Sequence, residues 1–149
     1  MIRIALTALL LATPAPAQTL GPFEGEWQGE GTLALPDEPA QRLRCRLRLE
    51  ETRLSGTVFQ GRCATAQGGR NFTYLLREAE GGMIRGENRA GDDLPPQIEG
   101  RIEGEILRLG DGAQGVFEMR REGTRLHFRL SAEGRQGPTR GEAVLHLRD

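Results

Sequence analysis

The chain has 149 residues, 37% hydrophobic, 28% charged and 5% aromatic, and its 20 basic side chains are all arginine, set against 21 acids for a net charge of −1. That length fits one domain, and the even balance leaves no whole-chain footprint for nucleic acid. Two histidines, two cysteines and two serines leave little material for a metal cage or a nucleophilic triad.

The first segment reads as a secretory signal. Met1-Ile2-Arg3 is a short positive start, Ile4 to Ala12 is apolar, and Ala15 and Ala17 satisfy the small-residue rule for cleavage after Ala17. The apolar run is shorter than the roughly 20 residues that a membrane helix needs. No cysteine follows the cut, so no lipid anchor is expected. Residues 1–17 are thus expected to be removed. Residues 18–149 form the domain, carry two net negative charges and reside in the periplasm or outside the cell.

Beyond the signal the periodicity is two. In 23–33 the odd positions are Phe23, Gly25, Trp27, Gly29, Gly31 and Leu33, alternating with Glu24, Glu26, Gln28, Glu30 and Thr32. Leu35-Pro36-Asp37-Glu38-Pro39 closes that run as a turn. In 42–49, Leu43, Cys45, Leu47 and Leu49 alternate with Arg42, Arg44, Arg46 and Arg48. Strict alternation predicts antiparallel strands with one apolar and one charged face. A hairpin near Glu38 lays Glu24, Glu26 and Glu30 beside Arg44, Arg46 and Arg48. Opposite charges across a strand pair contribute roughly 0.2–1 kcal/mol each. The arginine comb reads as one side of a salt ladder. The alternative is a polyanion site, which requires arginines that stay unneutralised.

Cys45 and Cys63 are an even number in an oxidising compartment, which predicts a disulfide. The alternative is two buried thiols acting as small hydrophobes. A turn at 50–53 sets Cys45 opposite Val58, and Cys63 then lies roughly 16 Å further along the strand. A bridge needs Cα atoms within about 7 Å. It therefore requires a longer loop, a bulge near Gly61 or a curl of the chain.

Turns continue at Gly81-Gly82, Gly91-Asp92-Asp93 with Pro95-Pro96, Gly110-Asp111-Gly112, Glu122-Gly123 and Gly134 to Pro138. Between them Ile98, Gly100, Ile102, Gly104 and Ile106 alternate with charges, as do Leu126, Phe128 and Leu130, then Ala143, Leu145 and Leu147. No segment carries a helical period. The expected fold is all-β, a single antiparallel up-and-down barrel of about eight to ten strands, with a two-sheet sandwich as the alternative.

Gly25-Glu26-Trp27-Gln28-Gly29-Glu30-Gly31 reads G-x-W-x-G-x-G at the start of the first strand. This resembles the opening of lipocalin-like (calycin) barrels, including the haem-binding nitrobindin group. The resemblance implies that Trp27 plugs the barrel floor and that an arginine of the last strand, Arg148, lies over it. Nitrobindins hold haem through a late histidine. Here His146 alternates outward with Val144 and Arg148, so no cofactor is expected. The early cysteine pair and the G-x-W start also resemble secreted bacterial metalloprotease inhibitors, whose N-terminal segment enters the protease. The counterpart here is 18–22.

His127 and His146 are expected to be cross-strand neighbours on the outer face, where a metal would still want a third ligand such as Glu118 or Glu142. No metal site is predicted. Carboxylate pairs such as Glu50-Glu51 and Asp92-Asp93 fall in turns, where their pKa is not tuned for acid–base work. The remaining candidate is the apolar interior. Phe72, Tyr74, Phe117, Met119 and Phe128 are its ligand-binding candidates, with Leu76, Met83 or Ile84, and Leu126 beside them. The reading is a monomeric, non-enzymatic binding protein for a small apolar ligand. The rival is an inhibitor or other protein-binding module working through 18–22 and the loops. Mass spectrometry of the exported protein is expected to find a chain starting at Gln18; retention of residues 1–17 would overturn the signal reading.

Overall fold

The computed structural model describes residues 12, 19–53, 55–111, 116–134 and 136–149. The signal segment 1–17, Ala12 apart, and residue 18 lie outside them. Ten strands form among the described residues: β1 (Gly25–Ala34), β2 (Gln41–Glu51), β3 (Thr57–Thr65), β4 (Gly68–Glu78), β5 (Met83–Asn88), β6 (Gln97–Glu103), β7 (Ile106–Gly110), β8 (Val116–Glu122), β9 (Arg125–Gly134) and β10 (Gly137–Leu147). Each pairs antiparallel with its sequence neighbour, and β10 pairs with β1 to close one barrel. A two-sheet sandwich is thereby excluded. Closure leaves no free sheet edge, which is how a chain made almost wholly of strands avoids pairing with its own copies.

The alternation decides which side chains face in. Leu43, Cys45, Leu47 and Leu49 of β2 are buried while the arginines between them are exposed. The same holds for Ile98 and Ile102 on β6 and for Leu126 and Phe128 on β9. Closure runs from Trp27↔Leu147 to Ala34↔Arg140. Along it, a Cβ on Gly29 would sit 1.9 Å from the Val144 carbonyl oxygen, and one on Gly31 would sit 1.7 Å from that of Glu142. The glycines of the G-x-W-x-G-x-G run are therefore where β1 coils against β10 too closely for any side chain.

Three registers differ from the sequence expectation. The first hairpin centres on Asp37, whose φ is 58°, one residue earlier than expected. A one-residue shift of the centre moves partners by two and preserves parity, so the charged faces still coincide. Glu30 meets Arg42 and Arg44, and Glu26 meets Arg48. Arg46 lies opposite Gln28. Glu24 precedes the strand and is not a rung of this ladder. The second hairpin turns later than 50–53. Thr52 N–H donates to the Gly56 carbonyl at 2.8 Å, and Ser55 and Gly56 take positive φ. Of the routes open to the bridge, the structure uses the longer loop. Cys45 and Cys63 are directly opposed, Cα atoms 4.2 Å apart, and joined by a disulfide.

The last hairpin is also tighter than expected. Gly134 pairs with Gly137, so His127 faces Val144 and His146 faces Arg125. The histidines are diagonal rather than directly opposed.

Replacing both Cys45 and Cys63 with alanine is expected to lower unfolding stability by about 3 kcal/mol in a urea titration. A loss below about 1 kcal/mol would mean that hydrogen bonds alone hold the β2–β3 pair.

Candidate functional site

The two ends of the barrel are built differently. At one end the chain enters through a short 3-10 turn, Gly21–Phe23. Leu20 and Phe23 are buried there beside Trp27, and the indole N–H donates to the Phe23 carbonyl at 2.9 Å. The Leu20 amide donates to Glu78 Oε1 at 2.6 Å. This end is a plug. Arg148 Nη1 donates to the Gln28 side-chain oxygen at 3.0 Å, and Arg148 and Trp27 border the same groove. The described part of 18–22 does not project as an arm, because Leu20 is 1% exposed. Residue 18 lies outside the described residues.

The other end, the mouth, carries the aromatic residues. Phe117 meets four rings: Phe72 at 5.1 Å between centroids, Phe59 at 5.6 Å, Phe128 at 6.2 Å and Tyr74 at 6.3 Å. Such spacing suits edge-to-face and offset contacts. Phe59, Phe72, Tyr74 and Phe128 are buried, whereas Phe117 is half-buried. Leu33, Leu94 and Leu130 are also half-buried and pack against the core. Met119, Leu76, Ile84 and Leu126 lie deeper, each 0% exposed, while Met83 is half-buried. Water therefore touches none of the deep side chains, and the barrel is filled below the mouth.

The segment between β5 and β6 is pinned over this end. Tyr74 donates its hydroxyl to the Pro95 carbonyl at 2.9 Å. Asn88 Nδ2 donates to Asp92 Oδ1 at 2.8 Å, and the Leu94 amide donates to the same oxygen at 3.1 Å. Arg70 pairs with Asp93. The Asn88 hydrogen bond, more than any other interaction, holds the Asp92 carboxyl below its ordinary pKa. These contacts set Leu94 against the rings.

Five interior candidates thus come together, four of them, Phe72, Tyr74, Phe117 and Phe128, in one ring network. Phe59 belongs to that network and was not expected, because a turn at 50–53 puts Val58 inward instead. Leu94 was also unexpected, since nothing in a Pro/Asp loop signals inward packing. The ring network offers apolar surface and one phenol whose proton is already committed. That suits binding by exclusion of water, with Tyr74 as the polar atom near the rings.

On the outer face, His127 Nε2 is 3.3 Å from Glu122 Oε2. His146 is exposed and lies across from Gln28. Among the described residues no group of three or more His, Cys, Asp or Glu side chains could hold a metal ion. No helix among them is long and apolar enough to cross a membrane.

No family model matches the chain. No curated protein matches it. Among solved structures, the crystal structure of Rv2717c from M. tuberculosis aligns with a TM-score of 0.53 at 18% identity, covering 91% of this chain and 99% of that one. A zebrafish ileal bile acid-binding protein complexed with cholic acid aligns at a TM-score of 0.44 and 14% identity, covering 85% and 99%. The first likeness is one of fold.

Burial pushes the Tyr74 phenol up to about 12, with the Asp92 and Asp111 charges adding to it. An unfolded tyrosine ionises at about pH 10. The stability that this phenol contributes is therefore complete below that pH and is lost as pH rises toward 12. An ultraviolet absorbance titration of this single-tyrosine chain is expected to find the midpoint near 12. A midpoint at the unfolded value would mean that the ring is open to water.

Proposed function

We propose that the chain is a non-enzymatic, lipocalin-like binding protein, exported and monomeric, that takes a small flat apolar ligand at the barrel mouth. One observation carries this reading: five of the seven aromatic side chains converge there, around a half-buried Phe117. A core that needed only filling would be served by aliphatic side chains, as it is deeper down. Rings gathered under a partly exposed ring give a stacking surface that a ligand can enter when Phe117 swings outward. Because the interior is filled, the ligand displaces a side chain rather than occupying an empty hole. The ring network itself carries no charge, which favours a neutral ligand. The disulfide supports residence in an oxidising compartment. The inhibitor reading needs a free N-terminal arm, and the burial of Leu20 and Phe23 weighs against it.

The test uses the neutral dye N-phenyl-1-naphthylamine. Saturable, blue-shifted fluorescence is expected with the wild type, and about tenfold tighter binding with Phe117→Ala, which removes the ring that must move. Failure of both proteins to bind the dye, with the barrel intact by circular dichroism, would sink the reading.

A further inference from the structure

Among the described residues, the charge ladder outside the barrel has a gap where two opposed arginines are both without an ion pair. At directly opposed positions across β1 to β4 stand Gln28, Arg46, Arg62 and Asn71. The other arginines of the β2 comb are neutralised: Arg42 and Arg44 by Glu30, and Arg48 by Glu26 and Glu50. Arg46 instead faces an amide on one side and Arg62 on the other. Among the described residues neither Arg46 nor Arg62 has a carboxylate within ion-pair reach. Arg77↔Arg85 and Arg101↔Arg108 are also opposed. There at least one arginine of each pair is neutralised: Arg77 by Glu87, Arg85 by Glu99 and Arg108 by Glu103 and Glu118, while Arg101 has no ion pair.

Amide oxygens orient two guanidiniums of this patch, those of Arg62 and Arg148, without cancelling their charge. Arg62 Nη1 donates to Asn71 Oδ1 at 3.0 Å, and Arg148 Nη1 donates to Gln28 Oε1 at 3.0 Å. These arginines border one open groove of 440 Å³, into which Arg46, Arg48, Arg62 and Arg148 bring four positive charges against one negative charge from Glu26. The chain as a whole is at −1. Like charges directly opposed on a sheet are destabilising. A local rule kept by the neighbouring rungs of β2 and broken for both members of one opposed pair points to function at that place.

We propose that this groove is an oxyanion site that takes a doubly charged phosphate group between Arg46 and Arg62, with Arg148 at its edge. A guanidinium presents paired N–H donors that match two oxygens of a phosphate. Two opposed forks match a dianion, whereas a single carboxylate would leave charge uncancelled. The site lies on the outer wall, and its groove shares Phe72 with the ring network.

The phosphate could belong to a free ion, a small organic monoester or a lipid headgroup, and three titrations separate these. The exported chain is titrated calorimetrically, at constant ionic strength, with inorganic phosphate, with glycerol 3-phosphate and with phosphatidylcholine vesicles with or without phosphatidic acid. Saturable one-site binding is expected in at least one arm. It should weaken by about tenfold or more in Arg46→Gln/Arg62→Gln and stay unchanged in Arg85→Gln, which removes a paired arginine elsewhere. Without phosphate the double variant is expected to melt above the wild type, because the repulsion is gone. Should the double variant not fold, Arg46→Gln carries the same comparison. Binding only to phosphatidic acid vesicles assigns the headgroup; binding to either soluble anion assigns a soluble phosphate. Absence of saturable binding in every arm, or equal weakening in Arg85→Gln, overturns the proposal.

Discussion

The pairing of β1 with β10 is the constraint on which the rest of this structure depends. Antiparallel neighbours joined by short turns form readily, but a sheet of ten of them keeps two exposed edges until its ends meet. Meeting requires β1 to coil steeply, and the glycines at 29 and 31 permit β10 to come within a distance that excludes a Cβ. Once closed, every inward side chain faces the same interior. The alternation of each strand becomes one shared core and one continuous charged surface.

That interior is filled in layers. Trp27, Leu20 and Phe23 seal the end where the chain enters, aliphatic side chains fill the middle, and the rings gather at the far end. The asymmetry arises from where each strand places its aromatic residue. Phe72, Phe117 and the rings beside them sit toward the mouth, and only Phe117 keeps contact with solvent among them to the extent of being half-buried. A plugged floor and an aromatic mouth give the barrel a direction, which a uniformly packed cylinder would lack.

The outer surface is governed by a different balance. Its basic groups are all arginine, and most rungs join an arginine to a glutamate on the next strand or on its own. Exposed pairs of this kind stabilise a fold little. Their larger effect is to set register and to keep the wall from attracting other strands. Against that mesh, the opposed Arg46 and Arg62 stand out because the other arginines of β2 follow the rule that they break.

The periodicity of two, the inward set on each strand and the presence of a disulfide could be read from the chain, because burial on one face writes itself directly into alternation. The parity of the first hairpin was legible too: Glu and Arg faces coincide whether its centre is Asp37 or Glu38. What lies opposite what was not legible where a turn is ambiguous. Moving the 50–53 turn to 52–56 brings Cys63 to Cys45 and turns Phe59 inward in place of Val58. Moving the last turn separates His127 from His146. The plug formed by Leu20 and Phe23, the inward Leu94 and the amide partner of Arg148 likewise carry no local pattern. They are set by which ends the closed barrel leaves open, and closure is a long-range event that no window of neighbouring residues encodes.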